Sequence, residues 1–470
     1  MGRGKPQGKK TMDIRMLLVV LLMTGLLSVF VLLNYAQQSL HDRELTQRLS
    51  MMTSAHGFTQ DIDAHHHTQI QHISRTKRRN LDRSSSESQT GFQRVGDTLN
   101  TYVYSAIYDD IDVPIIRVIA LVRHIQDARE LPSFVCTYFN GSGQTSPVTY
   151  RGILQYVPEP KWGYRYHSGF IKCGFPKDGW PAAVRISGNK SAEAGNMLRV
   201  IYPLKKKRQL TRCFSALHSN FSDTLQLIQT LEISLMFGVG HFIVYNYSIH
   251  ESAMNVLKHY RNLGVLEILP WDVPVNRSEI HYFAQLAVIQ ECMYRNLHVS
   301  DFILTGDTDE VYIPKVYANT SDMIVDNLKG RPSCSCLLVR NTFFPLNLQP
   351  HMGNFTLKQE ARRLNLTHLL YTSHLIIDLP QDRSKLIIRP TGVEIAGIHK
   401  VERFRKGHDG CICQYSRCLL HHYRIVPPKE WGSFRATDAT LLKYSDKIVK
   451  RVIERITQLN FDRQTVTFEV

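Results

Sequence analysis

At 470 residues the chain has room for two or three domains and a sizeable core. Its formal net charge of +16 points at first to nucleic acid. Most of that charge sits in three short basic runs, the N-terminal tail, 75–83 (RTKRRNLDR) and 205–212 (KKKRQLTR); the rest is close to neutral, which argues against a nucleic-acid partner.

The first element is an uncharged apolar run of 18 residues, from Met16 to Leu33, at the lower edge of what spans a bilayer as a helix. It is longer than a signal-peptide core, and its exit, Asn34-Tyr35-Ala36, lacks a small residue at the expected minus-three position, so an uncleaved anchor is expected. Arg3, Lys5, Lys9, Lys10 and Arg15 precede it against one Asp13, which places residues 1–15 in the cytoplasm and everything after the anchor in a lumen. Eight N-x-S/T sequons, all beyond the anchor, and nine cysteines, all beyond residue 135, suit that oxidising secretory address. Asn246 is the sequon expected to stay unmodified, because it ends a core strand.

Residues 34–98 are polar and aperiodic, the composition of a flexible stem. Within it Arg75-Thr76-Lys77-Arg78 has the form that furin-like proteases cut, which predicts a shed form after cleavage near Arg78; the His65 to His67 triplet is read as inert. From 99 to 204 short alternating runs such as IIRVIALVR and FVCTYF recur at roughly ten-residue spacing, the pattern of a small β-rich, sandwich-like accessory domain. Cys136 and Cys173 are its disulfide candidates.

The pattern changes near 205. A helix capped by Ser222 or Asp223 and stopped by Gly238 precedes the strand HFIVYNY. A second helix from Glu251 to Leu263 and the strand VLEILPW follow, then a third helix from about Glu279 to His298. Strands alternating with helices predict an α/β domain over 205–470 with a parallel, Rossmann-like sheet, whose ligands bind at the carboxyl ends of the strands. The next strand, FILTG, ends there in Asp307, Asp309 and Glu310.

Clustered carboxylates at a strand end repel one another and call for a cation. Three readings fit: a solvated loop, an aspartyl nucleophile (Asp307) of a haloacid-dehalogenase-like phosphatase, or a D-x-D clamp that holds Mn²⁺ against the diphosphate of a nucleotide sugar. The phosphatase wants its nucleophile early in the domain and a later acidic pair, for which Asp378 and Asp382 are poorly spaced. The lumenal address favours the clamp.

The ordered set LEISLMFGVGHFIVYNYS, VLKHYRNLGVLEILPW, QLAVIQECMYR, FILTGDTDEVYIP, KLIIRP, GIH and HHYR resembles glycosyltransferase family 92, formerly a domain of unknown function, over about 208–428. The resemblance implies a GT-A-type fold and an inverting β-galactosyltransferase that uses UDP-galactose and Mn²⁺, with β1,4 linkage to glycoprotein N-glycans, in the Golgi membrane. A family member that binds glycans without catalysis is the further alternative. Residue by residue, Asp307 and Asp309 correspond to the family's metal and donor clamp, with Thr308 where an aliphatic residue is usual. His399 and His422 match motifs suited to complete the metal shell. Tyr245, Asn246 and Gln285 map to donor-binding positions, Lys385, Arg389 and Arg424 to diphosphate or sugar contacts, and Glu291 to a helix position that reaches sugar or metal. The general base is not identified by the motifs; Glu360, Asp378 and Glu394 follow the clamp, and Glu394 is the choice among them. Cys411, Cys413, Cys418 and His421 mimic a zinc knuckle, but in an oxidising lumen disulfides are the better account, with Cys334 and Cys336 as their partners.

Overall fold

The computed structural model describes residues 91–459 except 97–99, 126–130, 144, 161, 178, 189–195, 204–206, 376–382 and 428–434. The expected anchor at 16–33, the expected stem up to residue 90 with Arg78 and its histidine triplet, and Asp378 and Asp382 lie outside the described residues. Among the described residues no helix is long and apolar enough to cross a membrane.

The β-rich part begins at Gln93, ahead of the expected boundary. Its strands are β1 (Gln93–Arg94), β2 (Thr101–Asp109), β3 (Ile115–Arg123), β4 (Phe134–Phe139), β5 (Thr145–Tyr156), β6 (Tyr166–Gly174), β7 (Ala183–Gly188) and β8 (Leu198–Ile201). They pair in the order β1-β2-β3-β6-β5-β4-β7-β8, and β8 pairs with β2 as well. The sheet therefore closes on itself, where two open layers were expected. Short alternating strands serve a barrel and a sandwich equally, and only long-range pairing separates them. Val118, Phe134, Ile171 and Ile186 fill one core, in which Cys136 and Cys173 form the expected disulfide. That bridge joins β4 to β6 across β5, and Gly152 makes room for it: a Cβ there would lie 3.2 Å from Cys136 Sγ and 2.8 Å from Ile171.

The opposite faces of β2 and β3 are buried too. Tyr104, Ile107, Ile119 and Leu121 pack with helix residues of the second part, which explains why IIRVIALVR is a nearly continuous apolar run. Asp109 fastens the two parts polarly: it accepts from Arg117 at 2.7 Å and from Arg405 at 3.0 Å, and all three side chains are buried.

The second part runs β9 (Arg208–Phe214), α1 (Thr224–Met236), β10 (His241–Asn246), α2 (Glu251–Asn262), β11 (Leu266–Pro270), α3 (Gln285–Arg295), β12 (Ser300–Gly306), β13 (Glu310–Ile313) and α4 (Thr320–Leu328). There follow β14 (Cys334–Val339), β15 (Asn341–Pro345), α5 (Lys358–Arg363), α6 (Thr367–Leu370), β16 (Ser373–Leu375), β17 (Lys385–Ile388), β18 (Val393–Ala396), β19 (Val401–Phe404), β20 (Asp409–Ile412), β21 (Leu419–Arg424), β22 (Arg435–Thr437) and α7 (Ser445–Gln458). The main sheet has the order β11-β10-β9-β12-β17-β14-β20, and its first four strands are parallel. A second sheet, β13-β21-β15-β16-β22, stands beside it.

Asp223 caps α1 as expected, accepting from Gln226 N at 2.9 Å. The third helix departs from expectation and starts only at Gln285. Tyr282, Phe283 and Ala284 hold φ values of 36°, 56° and 61°, a left-handed run that no helix admits. Disulfides join Cys213 to Cys292, Cys334 to Cys411 and Cys413 to Cys418. Cys336 stays free, buried in the central sheet, with its thiol pushed up to about 12 by burial.

Candidate functional site

Strand direction assembles the site. β9 has β10 on one side and β12 on the other, so the crevice between β9 and β12 is a switch point of the sheet. Their register pairs Gly306 with Phe214, and Ser215 therefore leaves β9 beside Asp307. β17 runs antiparallel to β12, which brings its first residue, Lys385, to the same end. The second sheet contributes the histidine: β13 pairs antiparallel with β21 and sets Glu310 directly opposite His422.

Lys385 Nζ lies 3.0 Å from Asp307 Oδ2 and 3.3 Å from Glu310 Oε2. His422 Nε2 lies 3.1 Å from Asp309 Oδ2, and its Nδ1 3.3 Å from Glu310 Oε1. Asp307 and Asp309 are 31% and 27% exposed, whereas Lys385 and Glu310 are 5% and 1% exposed. The two aspartates thus face solvent while Glu310 works from behind them, bracing Lys385, His422 and the Asp307 amide, which donates to it at 2.8 Å. Arg212, buried in β9, donates to the carbonyls of Asp307 and Glu310, and Thr230 of α1 donates to that of Thr308 at 2.6 Å. These bonds fix the D-x-D-E turn from below.

The electrostatics follow from this packing. Burial opposes ionisation of Asp307, but the Lys385 ammonium, hydrogen bonds from Ser215 and Lys385, and His422 hold its carboxyl well below the usual range. Burial pushes Glu310 up. His422 is raised despite its burial, because Asp309 and Glu310 favour the imidazolium. Burial and then Lys385 hold His399 below its ordinary value, and its Nδ1 lies 3.0 Å from the Ser384 carbonyl oxygen.

Among the described residues no group of three or more His, Cys, Asp or Glu side chains is gathered around a common metal point. The donor chemistry nevertheless fits a hard divalent cation: two carboxylates one residue apart, both reaching solvent, and an imidazole turned to one of them and backed by a buried carboxylate. A cation held by Asp307, Asp309 and His422 would replace the His422 proton in neutralising the aspartates.

The other expected residues divide. Gln285 joins the site: it donates to Ser215 Oγ at 3.0 Å, and Ser215 in turn bonds Asp307. Arg424, two residues beyond His422 on β21, lies over the Phe343 ring, which also borders His422. Asn246 ends β10, where its carbonyl accepts from Trp271 N at 2.9 Å. Tyr245 and Glu291 are corrections to the expectation: both are fully buried, and they bond to each other while Arg295 donates to Glu291 at 2.7 Å. Their alternation points inward, so neither presents a polar atom to a ligand. Arg389 is corrected as well. It lies 5.3 Å over the Phe302 ring, at the amino end of β12, because the antiparallel strand that starts with Lys385 beside Asp307 carries Arg389 to the far end. Glu394 receives a hydrogen bond from Gln155 of the barrel and lies 3.7 Å from Arg403, partners that belong to the junction rather than to the carboxylate cluster. Glu360 sits on the short helix α5.

Sequence reasoning passed over Arg212, Ser215, His218 and Tyr282. A lone arginine inside an apolar strand (RQLTRCF) was the available signal for Arg212. His218 stacks on Phe283 with centroids 4.0 Å apart, and Tyr282 stands edge-on to it at 5.0 Å. Burial first, then the Asp307 and Asp309 carboxylates, push the Tyr282 phenol up, so this aromatic group borders the cluster.

Residues 208–463 match the sequence pattern of glycosyltransferase family 92. The Caenorhabditis elegans beta-1,4-galactosyltransferase galt-1 is 20% identical over 229 residues, 48% of this chain and 50% of that one. Another glycosyltransferase family 92 protein of the same organism is 22% identical over 311 residues, 58% of this chain and 56% of its own. The chain thus aligns with about half the length of these curated relatives. Among solved structures, residues 1–349 of S. aureus TarS give a TM-score of 0.24 at 11% identity, covering 55% of this chain and 73% of that one. Mycobacterium tuberculosis glucosyl-3-phosphoglycerate synthase, solved with Mn²⁺, UDP and glucosyl-3-phosphoglycerate, gives 0.22 at 12% identity, covering 54% and 80%.

Proposed function

The chain belongs to glycosyltransferase family 92, and from that premise we propose that it transfers galactose from UDP-galactose to a glycoprotein N-glycan with inversion, in a β1,4 linkage, a reading of the linkage that rests on the family resemblance and on the name of one relative. The observation that carries the reading is the pair Asp307 and Asp309, solvent-facing at the carboxyl end of a switch-point strand and backed by His422. Mn²⁺ bound there would neutralise the diphosphate of the donor. In the transfer, an acceptor hydroxyl oxygen attacks C1 of galactose, the bond from C1 to the β-phosphate oxygen breaks, and UDP leaves with the electron pair. The hydroxyl proton passes to a base. Lys385 holds Asp307 in place, Gln285 and Ser215 orient it from the β9 side, and Arg424 is the cation suited to a sugar or phosphate oxygen. The proposed location is the Golgi membrane with a lumenal catalytic part, a proposal that stands on the apolar run at 16–33, its basic flank and the sequons.

The test is a transfer assay with a panel of UDP-sugars and mixed glycan acceptors, in Mn²⁺ or EDTA, on wild type and on Asp307→Asn/Asp309→Asn. Mn²⁺-dependent transfer from UDP-galactose that the double variant loses, while folding normally, is expected. Wild-type turnover by the double variant would remove the clamp. Phosphate release from phosphorylated substrates would return Asp307 to the phosphatase reading.

A further inference from the structure

A row of aromatic rings leads from the barrel to the carboxylates. Trp162 and Tyr164, in the connection between β5 and β6, meet His281 and Tyr282, which precede α3. Trp162 stacks on His281 with centroids 3.7 Å apart and planes inclined by 22°. The Tyr164 ring lies 5.8 Å from His281, and the Tyr282 ring 6.1 Å from it. Trp162 is 39% and Tyr282 45% exposed, so both ends of the row reach solvent. Its inner end is fixed to the site: Tyr282 stands three residues before Gln285, whose amide holds the Ser215 hydroxyl that bonds Asp307.

The backbone is strained where it presents Tyr282. Three consecutive non-glycine residues, Tyr282, Phe283 and Ala284, occupy the left-handed region. Such conformations cost about 1–3 kcal/mol each and persist where the surroundings hold them. Here the Trp271 indole donates to the Phe283 carbonyl at 2.8 Å, His218 stacks on Phe283, and Arg277 lies 5.2 Å over the same ring. The strain turns Phe283 inward, where it is buried, and leaves Tyr282 outward.

We propose that Trp162, Tyr164, His281 and Tyr282 form the acceptor subsite, a ledge on which the pyranose faces of a neutral oligosaccharide stack while its terminal hydroxyl reaches the carboxylate end. The inference rests on the glycosyltransferase reading and extends it, since it makes the barrel part of the acceptor site. Aromatic rings with an apolar body and a polar edge suit a sugar, whose C–H face is apolar and whose rim is hydroxylated. Among the described residues at the row's margin, Arg165 and Glu279 pair at 2.9 Å and so neutralise each other, which suits an uncharged ligand.

The experiment measures, on the full-length chain, acceptor KM, donor KM and acceptor-free release of UDP, together with binding to an array of neutral oligosaccharides. Trp162→Ala and Tyr282→Ala are each expected to raise acceptor KM about tenfold, as loss of one ring contact implies. In Trp162→Ala, which lies away from the carboxylates, donor KM and acceptor-free UDP release should stay at wild-type values, and Trp162→Phe and Tyr282→Phe should restore the acceptor KM. A shift in donor KM instead would give Tyr282 to the nucleotide and overturn the proposal, as would unchanged acceptor KM in both alanine variants. Absence of turnover with every UDP-sugar would instead count against the transferase reading. The array then decides the ledge by itself: binding lost in the alanine variants upholds it, and binding that survives them, or wild type that binds no oligosaccharide, overturns it.

Discussion

Replacing Lys385 with methionine keeps the length of the side chain and removes its charge. In wild type the ammonium sits 3.0 Å from Asp307 and 3.3 Å from Glu310. At an effective dielectric of about 20, each such pair is worth about 5 kcal/mol of Coulomb attraction, which the cost of burying the ions largely offsets. Removing one partner exposes the imbalance, because Glu310 is then buried beside Asp307 with only His422 to oppose the two negative charges. Breaking a buried pair costs about 3–5 kcal/mol, and Asp307, a third exposed, moves the expectation to about 3. Urea unfolding in EDTA should therefore show Lys385→Met less stable than wild type by about 3 kcal/mol. Mn²⁺ should narrow that gap, since the freed Asp307 binds a cation more tightly, and a ligand at a hundred times its Kd adds about 2.7 kcal/mol. A gap below about 1 kcal/mol in EDTA, or one that Mn²⁺ leaves unchanged, would refute the charge reasoning.

Asp109→Asn should destabilise the chain by about 3–5 kcal/mol at neutral pH, by leaving the buried Arg117 without its carboxylate and Arg405 with only the exposed Asp112. Burial opposes ionisation of Asp109, but the two guanidiniums hold its folded pKa below the ordinary value. Its stabilisation is therefore fully present above about pH 4 and lost as pH falls through the depressed folded value, so unfolding curves of wild type and variant should converge only under acid conditions. Arg389→Ala should leave donor KM within twofold of wild type in steady-state assays, because about 16 Å of strand separates Phe302 from Asp307; a tenfold rise would return it to the site. Iodoacetamide should leave native Cys336 unmodified at pH 8 and alkylate it only after unfolding, as mass spectrometry would show, since the thiol is buried and raised to about 12.

Local chemistry made some features legible before the structure. The α1 cap at Asp223, the alternation of strand and helix after β9, and the acidic strand end at Asp307 follow from spacing and residue type alone. Features that depend on distant pairing did not. Barrel closure requires β2 to meet β8, and the delivery of His422 to Glu310 requires β13 to meet β21. Lys385 and Arg389 look equivalent on the sequence, yet an antiparallel strand sends one to each end. Tyr245 and Glu291 carry the right polar groups for a ligand, but their faces turn into the core, where they satisfy each other. The left-handed run at Tyr282 lacks any glycine to announce it.

The central claim is that the Asp307 and Asp309 end of β12 holds a nucleotide diphosphate through a divalent cation. Calorimetric titration of UDP into the full-length chain, in Mn²⁺ and then in EDTA, tests it most directly. The account predicts binding at least about a hundredfold tighter with Mn²⁺, a difference of about 2.7 kcal/mol that Asp309→Asn abolishes. Equal affinity in the two buffers, or no difference between Asp309→Asn and wild type, would contradict it.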